Sequence, residues 1–384
     1  MAKGKYLKKV KVSTGKKVLR VVLIVLLVLA LLAGAVFAFV WSKLSKITYD
    51  PGNSYETIAF TEAEIPTETL HPTEGVNMTE PAATEATEEP ATEPVAGVDM
   101  SGLTMETAPV YSSGELFKDK NVLNILLVGT DEFTEGFVKT SRGDVNIIVS
   151  INKEEKTVKL VSLSRGIAMP MLDGPYKGKY EWLTNVHRWA GTEAVLQAIE
   201  ECFKIEIDRY VRVNFNSVTK IVDAIGGIEM ELSKKEADFI NKQKVASTST
   251  QKKLVEGWNH LDGGTACYYA RLRGIDDDWY RIQRQRNAIL AVVDKVKGSS
   301  FSELNNLCDM VLPMIQTNLT TMEIAQLILY APSFLDSEFD QMTIPLENSY
   351  GGMTVMSGSG GWALDYTKNN AALHEFLYGV EATE

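Results

Sequence analysis

The chain has 384 residues, a formal net charge of −11, and 45% hydrophobic and 23% charged residues. This length and composition suit one large or two modest folded domains with a buried core. The acidic balance argues against a general nucleic-acid-binding protein, which needs basic surface to neutralise phosphates. The three cysteines lack the close pairs of a zinc site, so we predict buried thiols rather than metal or redox chemistry.

Two contrasting segments open the chain. Residues 1–20 contain eight Lys or Arg residues and no acid, and residues 21–40 form an unbroken apolar run. Such a run spans the hydrocarbon layer of about 30 Å, and basic flanks stay in the cytoplasm. We therefore predict a basic cytoplasmic tail at 1–20, a transmembrane helix at 21–41, and a single-pass cell-membrane protein with an extracytoplasmic C-terminal domain. A cleaved signal peptide is the alternative, but its apolar core is shorter, about 7–15 residues.

Residues 42–115 form a low-complexity segment rich in Pro, Thr and Glu. The segment contains seven of the twelve prolines and few large apolar residues, so burial cannot offset the entropy of ordering it. We predict a disordered acidic linker here. It would tether a folded extracytoplasmic domain, residues 116–384, at some distance from the membrane.

Within residues 116–384 the pattern of apolar residues alternates between strand and helix periods. The predicted strands are 121–129, 144–151, 157–163, 210–215 and 228–232. The predicted helices are 192–203, 217–225, a helix that Asp262 caps, 279–296, 301–315 and 321–330. Strands that alternate with helices in this way predict an α/β layered domain.

Charged residues lie at the ends of three predicted strands. Asp131 directly follows the first strand, Arg142 and Asp144 lie at the entrance to the second, and Arg165 follows the third. Binding sites on layered α/β domains cluster where apolar strands end and polar residues begin. Each of these residues alone has a simpler interpretation, namely a solvated side chain in a loop.

A second charged segment, 271–286, contains five arginines, three aspartates and no lysine. Arg281, Arg284 and Gln285 have the spacing of one helix face. A solvated network of ion pairs is the simpler interpretation, but arginine is favoured where a planar fork must hold phosphate. Asp131 and Asp144 could supply oxygen ligands for Mg²⁺, so arginines and a metal together suggest a pyrophosphate site.

These segments occur in a recognisable order along the chain, and over roughly residues 119–384 they resemble the LytR-CpsA-Psr (LCP) family. The resemblance implies an α/β/α layered domain with a central mixed sheet, preceded by one transmembrane helix and a disordered linker. It implies an extracytoplasmic Mg²⁺-dependent phosphotransferase that moves a glycopolymer from a polyprenyl-pyrophosphate carrier to a peptidoglycan hydroxyl, forming a phosphodiester. The matching segments are 124–131, 142–144, 162–165, 271–273, 278–281 and 284–285, with weaker matches at 185–191 and 222–228.

The resemblance also implies roles for individual residues. The implied metal ligands are Asp131 and Asp144, with Mg²⁺ as the ion and Mn²⁺ as the alternative. The implied partners are a polyprenyl-pyrophosphate-linked glycan, peptidoglycan and membrane lipid, and nucleic acid is not among them. The implied catalytic residues are Arg165, Asp144 and Arg281, and the implied pyrophosphate-binding residues are Arg142, Arg165, Arg271, Arg273, Arg281, Arg284 and Gln285.

One position departs from the family pattern. The usual Pro-Arg-Asp is here Ser164-Arg165-Gly166, so the carboxylate beside Arg165 is missing. Without it Arg165 would be less preorganised if that carboxylate normally braces the arginine. Two alternatives therefore stay open: a non-catalytic protein that binds the pyrophosphate-linked glycan, and a pyrophosphatase that acts on the same lipid. Two alternative roles stay open for Asp278: it could orient an arginine, or it could receive the proton of the acceptor hydroxyl.

Overall fold

The computed structural model describes residues 48–49, 115–243, 253–297, 299–335, 337 and 339–379. The predicted tail, the predicted transmembrane helix and nearly all of the predicted linker lie outside these residues and stay predictions. Among the described residues, no helix has both the length and the apolar composition to cross a membrane.

Strands and helices alternate along the described part of the chain. The strands are β1 (Thr48–Tyr49), β2 (Val122–Thr130), β3 (Gly143–Asn152), β4 (Thr157–Leu163), β5 (Ala168–Pro170), β6 (Tyr180–Trp182), β7 (Arg209–Asn214), β8 (Ile228–Leu232), β9 (Gly257–Leu261), β10 (Gln316–Thr317), β11 (Phe339–Ile344), β12 (Tyr350–Thr354) and β13 (Gly360–Leu364). The helices are α1 (Leu183–Phe203), α2 (Phe215–Ala224), α3 (Lys234–Lys242), α4 (Gly263–Ala270), α5 (Asp278–Val296), α6 (Phe301–Val311), α7 (Thr321–Leu335) and α8 (Tyr366–Tyr378).

A mixed sheet lies at the centre of the fold, as predicted. Its strand order is β1-β10-β7-β2-β3-β4-β11. β2 pairs antiparallel with β3 and parallel with β7, and β4 pairs antiparallel with β3 and parallel with β11. The edge strand β1 departs from the prediction, because its two residues belong to the predicted linker yet pair with β10.

Both faces of the central sheet contain buried side chains. Leu126 and Val128 of β2 belong to the same core cluster as Ile199 of α1 and Leu373 of α8. Ile147 of β3 faces the other side and is also buried. On that side Arg286 of α5 donates hydrogen bonds to the Ser162 hydroxyl and the Met342 carbonyl, so α5 lies over β4 and β11.

Helix α1 is longer than its predicted counterpart, 192–203. Gly191 interrupts it with φ 82° and ψ −179°, values that are not helical. A positive φ at this point suits glycine, because glycine has no Cβ to clash with the backbone. The sequence pattern therefore revealed the half of α1 that follows Gly191 and missed the half that precedes it.

A second core cluster lies around the antiparallel pair β8–β9 and includes residues of α2, α3 and α4. α2 and α4 approach each other closely at Gly263, where an added Cβ would lie 2.0 Å from the Thr219 carbonyl oxygen. Asp223 Oδ1 accepts a hydrogen bond of 2.7 Å from the Gly263 amide. Asp223, in the family-like segment 222–228, thus links α2 to α4.

We expect Gly263→Ala to destabilise the protein by more than about 2 kcal/mol, because its Cβ would meet rigid backbone. Gly264→Ala is the matched control in the same helix turn, since its nearest neighbour lies 3.8 Å from the added Cβ. It should leave the free energy of unfolding unchanged within about 0.5 kcal/mol. Urea unfolding of both variants measures the difference, and equal stabilities would refute the close contact.

His187, in the first half of α1, is fully buried against the loop that joins β2 and β3. Its Nδ1 lies 2.7 Å from the Ser141 carbonyl oxygen, which can only accept, so Nδ1 carries the proton. Its Nε2 lies 3.1 Å from the Thr192 hydroxyl. Burial, and next the charge of Arg212, lowers the pKa of His187 to about 3, so the imidazole stays neutral in the folded protein.

His187 should make folding sensitive to mild acid. Its folded pKa lies below the unfolded value of 6.5, so the unfolded chain binds the proton first and stability falls as pH decreases below 6.5. The loss approaches about 1.4 kcal/mol for each pH unit until the folded group also titrates. Urea unfolding at about pH 7.5 and about pH 5 should show a smaller pH-dependent loss for His187→Gln than for the parent. Equal losses would contradict the prediction.

Candidate active site

Three strands bring the charged strand ends to one edge of the central sheet. β3 runs antiparallel to β2 and β4, so the end of β2, the start of β3 and the end of β4 share an edge. Asp131 directly follows β2, Asp144 lies at the start of β3, and Arg165 comes shortly after β4. The structure therefore groups these three residues, as their positions at strand ends indicate.

A group of arginines and carboxylates occupies this edge. Asp144 Oδ1 lies 3.6 Å from Arg165 Nη1, and Asp144 Oδ2 lies 3.6 Å from Arg273 Nη2. Arg165 Nε lies 3.7 Å from Oδ1 of Asp278, which also forms an ion pair with Arg281. We call these five residues the arginine cluster. Its three guanidinium groups and two carboxylates leave one surplus positive charge.

Burial and repulsion act together on the charges of the arginine cluster. Burial, and next the charge of Arg165, lowers the pKa of Arg281 to about 10 and also lowers the pKa of Arg273. Burial alone would raise the pKa of Asp144, but the three guanidinium groups outweigh it and hold that pKa below its usual value. Thr184 adds a hydrogen bond of 3.0 Å to Asp144 Oδ1. Partly desolvated cations in surplus favour an anionic ligand with several oxygens, such as phosphate.

Asp131 and Arg142 are hydrogen-bonded to each other at the two ends of the loop that joins β2 and β3. The Arg142 amide donates to Asp131 Oδ1 at 2.7 Å, and the Asp131 amide donates to the Arg142 carbonyl at 3.1 Å. Arg212 of β7 stabilises this loop. Its Nη2 donates to Glu132 Oε1, the Val138 carbonyl and the Ser141 hydroxyl. Arg212 is only 1% exposed.

The carboxylates of Asp131 and Asp144 fit the implied cation in their chemistry. Burial, and next the charge of Asp144, raises the pKa of Asp131, so a cation that both carboxylates bound would relieve their repulsion. Mg²⁺ is commonly held by one or two carboxylates together with substrate phosphates. No group of three or more acidic, His or Cys side chains suited to a metal occurs in the described part of the chain. The ion would therefore share these two carboxylates with substrate oxygens.

The other implied pyrophosphate-binding residues lie in different surroundings. Arg271 stacks on two aromatic rings, with its Cζ 3.9 Å from the Phe215 centroid and 5.1 Å from the Phe133 centroid. Gln285 is buried on α5, one turn beyond Arg281. Arg271 and Gln285 thus flank the arginine cluster in sequence and are not members of it.

Arg284 has a structural environment rather than a binding one. Its side chain is 3% exposed. Nε donates to Glu236 Oε1 of α3 at 2.8 Å, Nη1 donates to the Leu272 carbonyl, and Nη2 forms an ion pair with Asp276. These contacts use all three guanidinium nitrogens within the protein. The structure therefore corrects the expectation for Arg284, which fastens α5 to α3 instead of facing a pyrophosphate.

Trp362 of β13 packs against Gly166, the position that departs from the family pattern. The Trp362 amide donates to the Gly166 carbonyl at 2.8 Å. A Cβ at position 166 would lie 3.0 Å from Trp362 Nε1, closer than side chains normally approach. A side chain at this position would therefore require the indole to shift by a few tenths of an ångström. Arg165 is instead braced by Asp144 and Asp278, so the missing carboxylate does not leave it unsupported.

Glu181 fastens the β12–β13 hairpin to the site. It is fully buried, and it accepts hydrogen bonds from the Ser357 amide and hydroxyl and from the Trp182 amide. The Trp182 ring centroid lies 5.9 Å from Arg165 Cζ, and the Trp182 indole donates to the Gly360 carbonyl. Sequence reasoning missed Glu181, Trp182, Thr184 and Arg212. Of these four residues, only Arg212 could have been singled out from the sequence, because it is a charged residue inside a predicted strand.

The comparisons with known proteins agree with this architecture. The model of the LytR_cpsA_psr family matches residues 73–372. The polyisoprenyl-teichoic acid–peptidoglycan teichoic acid transferase TagT of Bacillus subtilis (strain 168) is 29% identical over 227 residues, which cover 58% of this chain and 68% of TagT. The transferase of the same type named TagU from Enterococcus faecalis is 28% identical over 228 residues, 58% of this chain and 71% of TagU.

Solved structures show the same fold. A structure of TagT bound to LIIa-WTA superimposes with a TM-score of 0.54 and 25% identity over 73% of this chain and 98% of that one. The crystal structure of B. subtilis TagT gives a TM-score of 0.52 and 24% identity over 71% of this chain and 97% of that one. Because the family model matches more than half of the chain, the protein belongs to the LytR_cpsA_psr family.

Proposed function

We propose that this protein transfers a glycopolymer from a polyprenyl-pyrophosphate carrier to a peptidoglycan hydroxyl and forms a phosphodiester. The arginine cluster is the observation that carries the proposal, because the largely buried Arg165 and Arg281 and the more exposed Arg273 exceed two carboxylates at a sheet edge. The names of the relatives TagT and TagU, which describe transfer of teichoic acid between polyisoprenyl and peptidoglycan, support the same reaction.

The pyrophosphate of the carrier would be held by Arg165, Arg273 and Arg281. Each can present a planar fork to phosphate oxygens, and their surplus charge would be neutralised by the ligand. Arg142 lies beside Asp131 at the neighbouring loop and would contact the same pyrophosphate from that side. When bound by Asp131 and Asp144, Mg²⁺ would supply further positive charge to the phosphate oxygens.

The reaction exchanges one P–O bond for another. The acceptor hydroxyl oxygen attacks the phosphorus that bears the glycan, and the bond from that phosphorus to the polyprenyl phosphate breaks. Polyprenyl phosphate leaves with the electron pair, while Arg165 and Arg281 stabilise the charge that builds up on its oxygens. Little covalent chemistry is required of the protein, so fixed positive charge at the site is its main contribution.

We assign the acceptor proton to Asp278. Arg165 and Arg281 both contact its Oδ1, which leaves Oδ2 as the atom that takes the proton. Asp144 suits this role less well, because its two oxygens face Arg165 and Arg273 and it is an implied metal ligand. In phosphoryl transfer a weak base is sufficient, since the transition state is loose.

The predicted membrane anchor completes the proposal. A helix at 21–41 would hold the catalytic domain outside the cytoplasm, where carrier and peptidoglycan meet. The proposal for the site stands without the anchor, because the arginine cluster lies within the described residues.

We expect Arg165→Ala and Arg281→Ala each to reduce transfer by about 10²–10³-fold, because each removes a charge that stabilises the leaving pyrophosphate oxygens. The full chain in detergent, with Mg²⁺, a synthetic polyprenyl-pyrophosphoryl oligosaccharide and peptidoglycan fragments, should give phosphodiester-linked product by mass spectrometry. EDTA should abolish that product. Lys295→Ala is the control, since Lys295 is an exposed cation in the last turn of the same helix.

Each other outcome of this assay identifies a different function. Release of phosphorylated glycan into water without linkage to peptidoglycan would indicate a pyrophosphatase. Carrier binding without any turnover would indicate a non-catalytic binding protein. Full activity of Arg165→Ala and Arg281→Ala would rule out the arginine cluster as the site.

Asp278→Asn should lower kcat for transfer by about 10²-fold and leave the Kd of the carrier close to that of the parent, because the amide cannot take the acceptor proton. Carrier affinity is measured by titrating the full chain with the lipid in the absence of peptidoglycan. If Asp278 only orients the two arginines, carrier affinity would fall together with kcat. That result would mean that a group other than Asp278 takes the proton of the acceptor hydroxyl.

A further inference from the structure

Three aromatic side chains form a continuous surface beside the arginine cluster. The Tyr350 ring centroid lies 5.1 Å from that of Trp362 and 6.1 Å from that of Trp279. Trp279 comes from the first turn of α5, whereas Tyr350 and Trp362 come from the β12–β13 hairpin. All three side chains are half-buried. We call this group the aromatic wall.

The aromatic wall meets the arginine cluster at both of its ends. Trp362 lies against Gly166, the neighbour of Arg165. Trp279 directly follows Asp278 in α5. Arg165 and Asp278 are themselves in contact, with Nε and Oδ1 3.7 Å apart. A ligand that lay on the wall would therefore reach Asp278, the residue to which the acceptor proton is assigned.

The chemistry of the wall suits a sugar ring better than a lipid chain. Aromatic faces carry negative charge density and attract the weakly positive C–H groups of a pyranose ring. The Trp279 indole N–H and the Tyr350 hydroxyl are polar groups that can pair with sugar hydroxyls, whereas the Nε1 edge of Trp362 faces Gly166. A polyprenyl chain has no group for these donors, and a site that buried them against it would lose their hydrogen bonds to water.

We propose that the aromatic wall binds a sugar ring of the acceptor glycan strand and presents its hydroxyl to Asp278. The inference rests on the proposed function and assigns the acceptor subsite within it. The carrier glycan is the competing occupant, but its sugar is attached to the phosphate among the arginines. Through Trp279 the wall reaches Asp278, where the attacking hydroxyl must arrive.

Gly166 takes on a specific role in this arrangement. Any side chain at position 166 would press on Trp362, with the first carbon 3.0 Å from the indole nitrogen. Glycine at this position therefore allows the indole to lie beside Arg165, and Gly166 is a specificity-determining residue that acts through Trp362. Its effect should disappear once the indole is removed.

The test measures acceptor and carrier separately on the full chain in detergent. A soluble peptidoglycan glycan fragment without peptide stems is titrated by saturation-transfer NMR, and the carrier is titrated without the fragment. We expect Trp279→Ala and Trp362→Ala to weaken binding of the fragment about five- to tenfold and to raise its KM similarly. Carrier affinity should stay at the parental value. Trp258→Ala is the matched control, because Trp258 is 70% exposed on β9.

Gly166→Ala supplies a second and independent comparison. It should weaken binding of the glycan fragment to the parent protein. In the Trp362→Ala background it should have no further effect on that binding, because it acts only through the indole. Trp279 lies on a helix rather than in the hairpin, so Trp279→Ala keeps the test valid if Trp362→Ala loosens the hairpin. Thermal unfolding of each variant identifies such a loss.

The outcomes separate this proposal from the proposed function. Unchanged fragment binding in Trp279→Ala and Trp362→Ala would show that the wall only packs the hairpin. Weaker carrier binding with unchanged fragment binding would assign the wall to the carrier glycan and overturn the acceptor subsite. Fragment binding that depends on the wall, in a protein without transfer activity, would support the subsite while the proposed reaction fails.

Discussion

The antiparallel pairing of β3 with both β2 and β4 is the constraint on which the site depends. It places two strand ends and one strand start at a single edge, and each of the three carries a charged residue. Asp144 then lies within 3.6 Å of Arg165, although the chain between them includes a strand, a turn and another strand. A parallel arrangement of the same strands would put Asp144 at the opposite edge, because the start and the end of a strand of this length are tens of ångströms apart.

The cost of burying charge explains why the arginine cluster has its composition. Arginines without counterions would stay charged and would destabilise a partly buried edge through lost hydration and mutual repulsion, and arginines fully neutralised by carboxylates would have little affinity for phosphate. Asp144 and Asp278 each contact two of the three guanidinium groups, which fixes the arginines in place and leaves one positive charge in surplus. Preorganised charge of this kind is what phosphoryl transfer requires, since it needs no reorganisation when the reaction occurs.

The departure at Gly166 shows how a local change can be absorbed by distant parts of the chain. The missing carboxylate suggested an arginine with too little support. In the folded protein Asp278 braces that arginine from α5, and the space that a side chain at 166 would need is taken by Trp362. The buried carboxylate of Glu181 ties the hairpin that carries Trp362 to the same region through Ser357. The C-terminal hairpin is thus part of the site rather than an appendage to the sheet.

The sequence by itself determined the secondary structure wherever apolar periodicity was long and regular, as in β2, β3, β4 and α5, and it identified the residue types of the site from their places at strand ends. It also indicated the cap at Asp262, because a side chain that accepts from an amide three residues later is a local interaction. It missed α3, although the capping box of Ser233 and Glu236 could be read from four consecutive residues.

Only the tertiary structure decided which arginines face the site and which ones connect elements of the fold. Arg281 and Arg284 lie one turn apart on α5, yet one meets Asp278 at the site and the other meets Glu236 of α3. Arg212 points inward between two valines that a strand pattern would place in the core. Those outcomes depend on which elements pack against each side chain, and packing partners far apart in sequence leave no periodic signal in the chain.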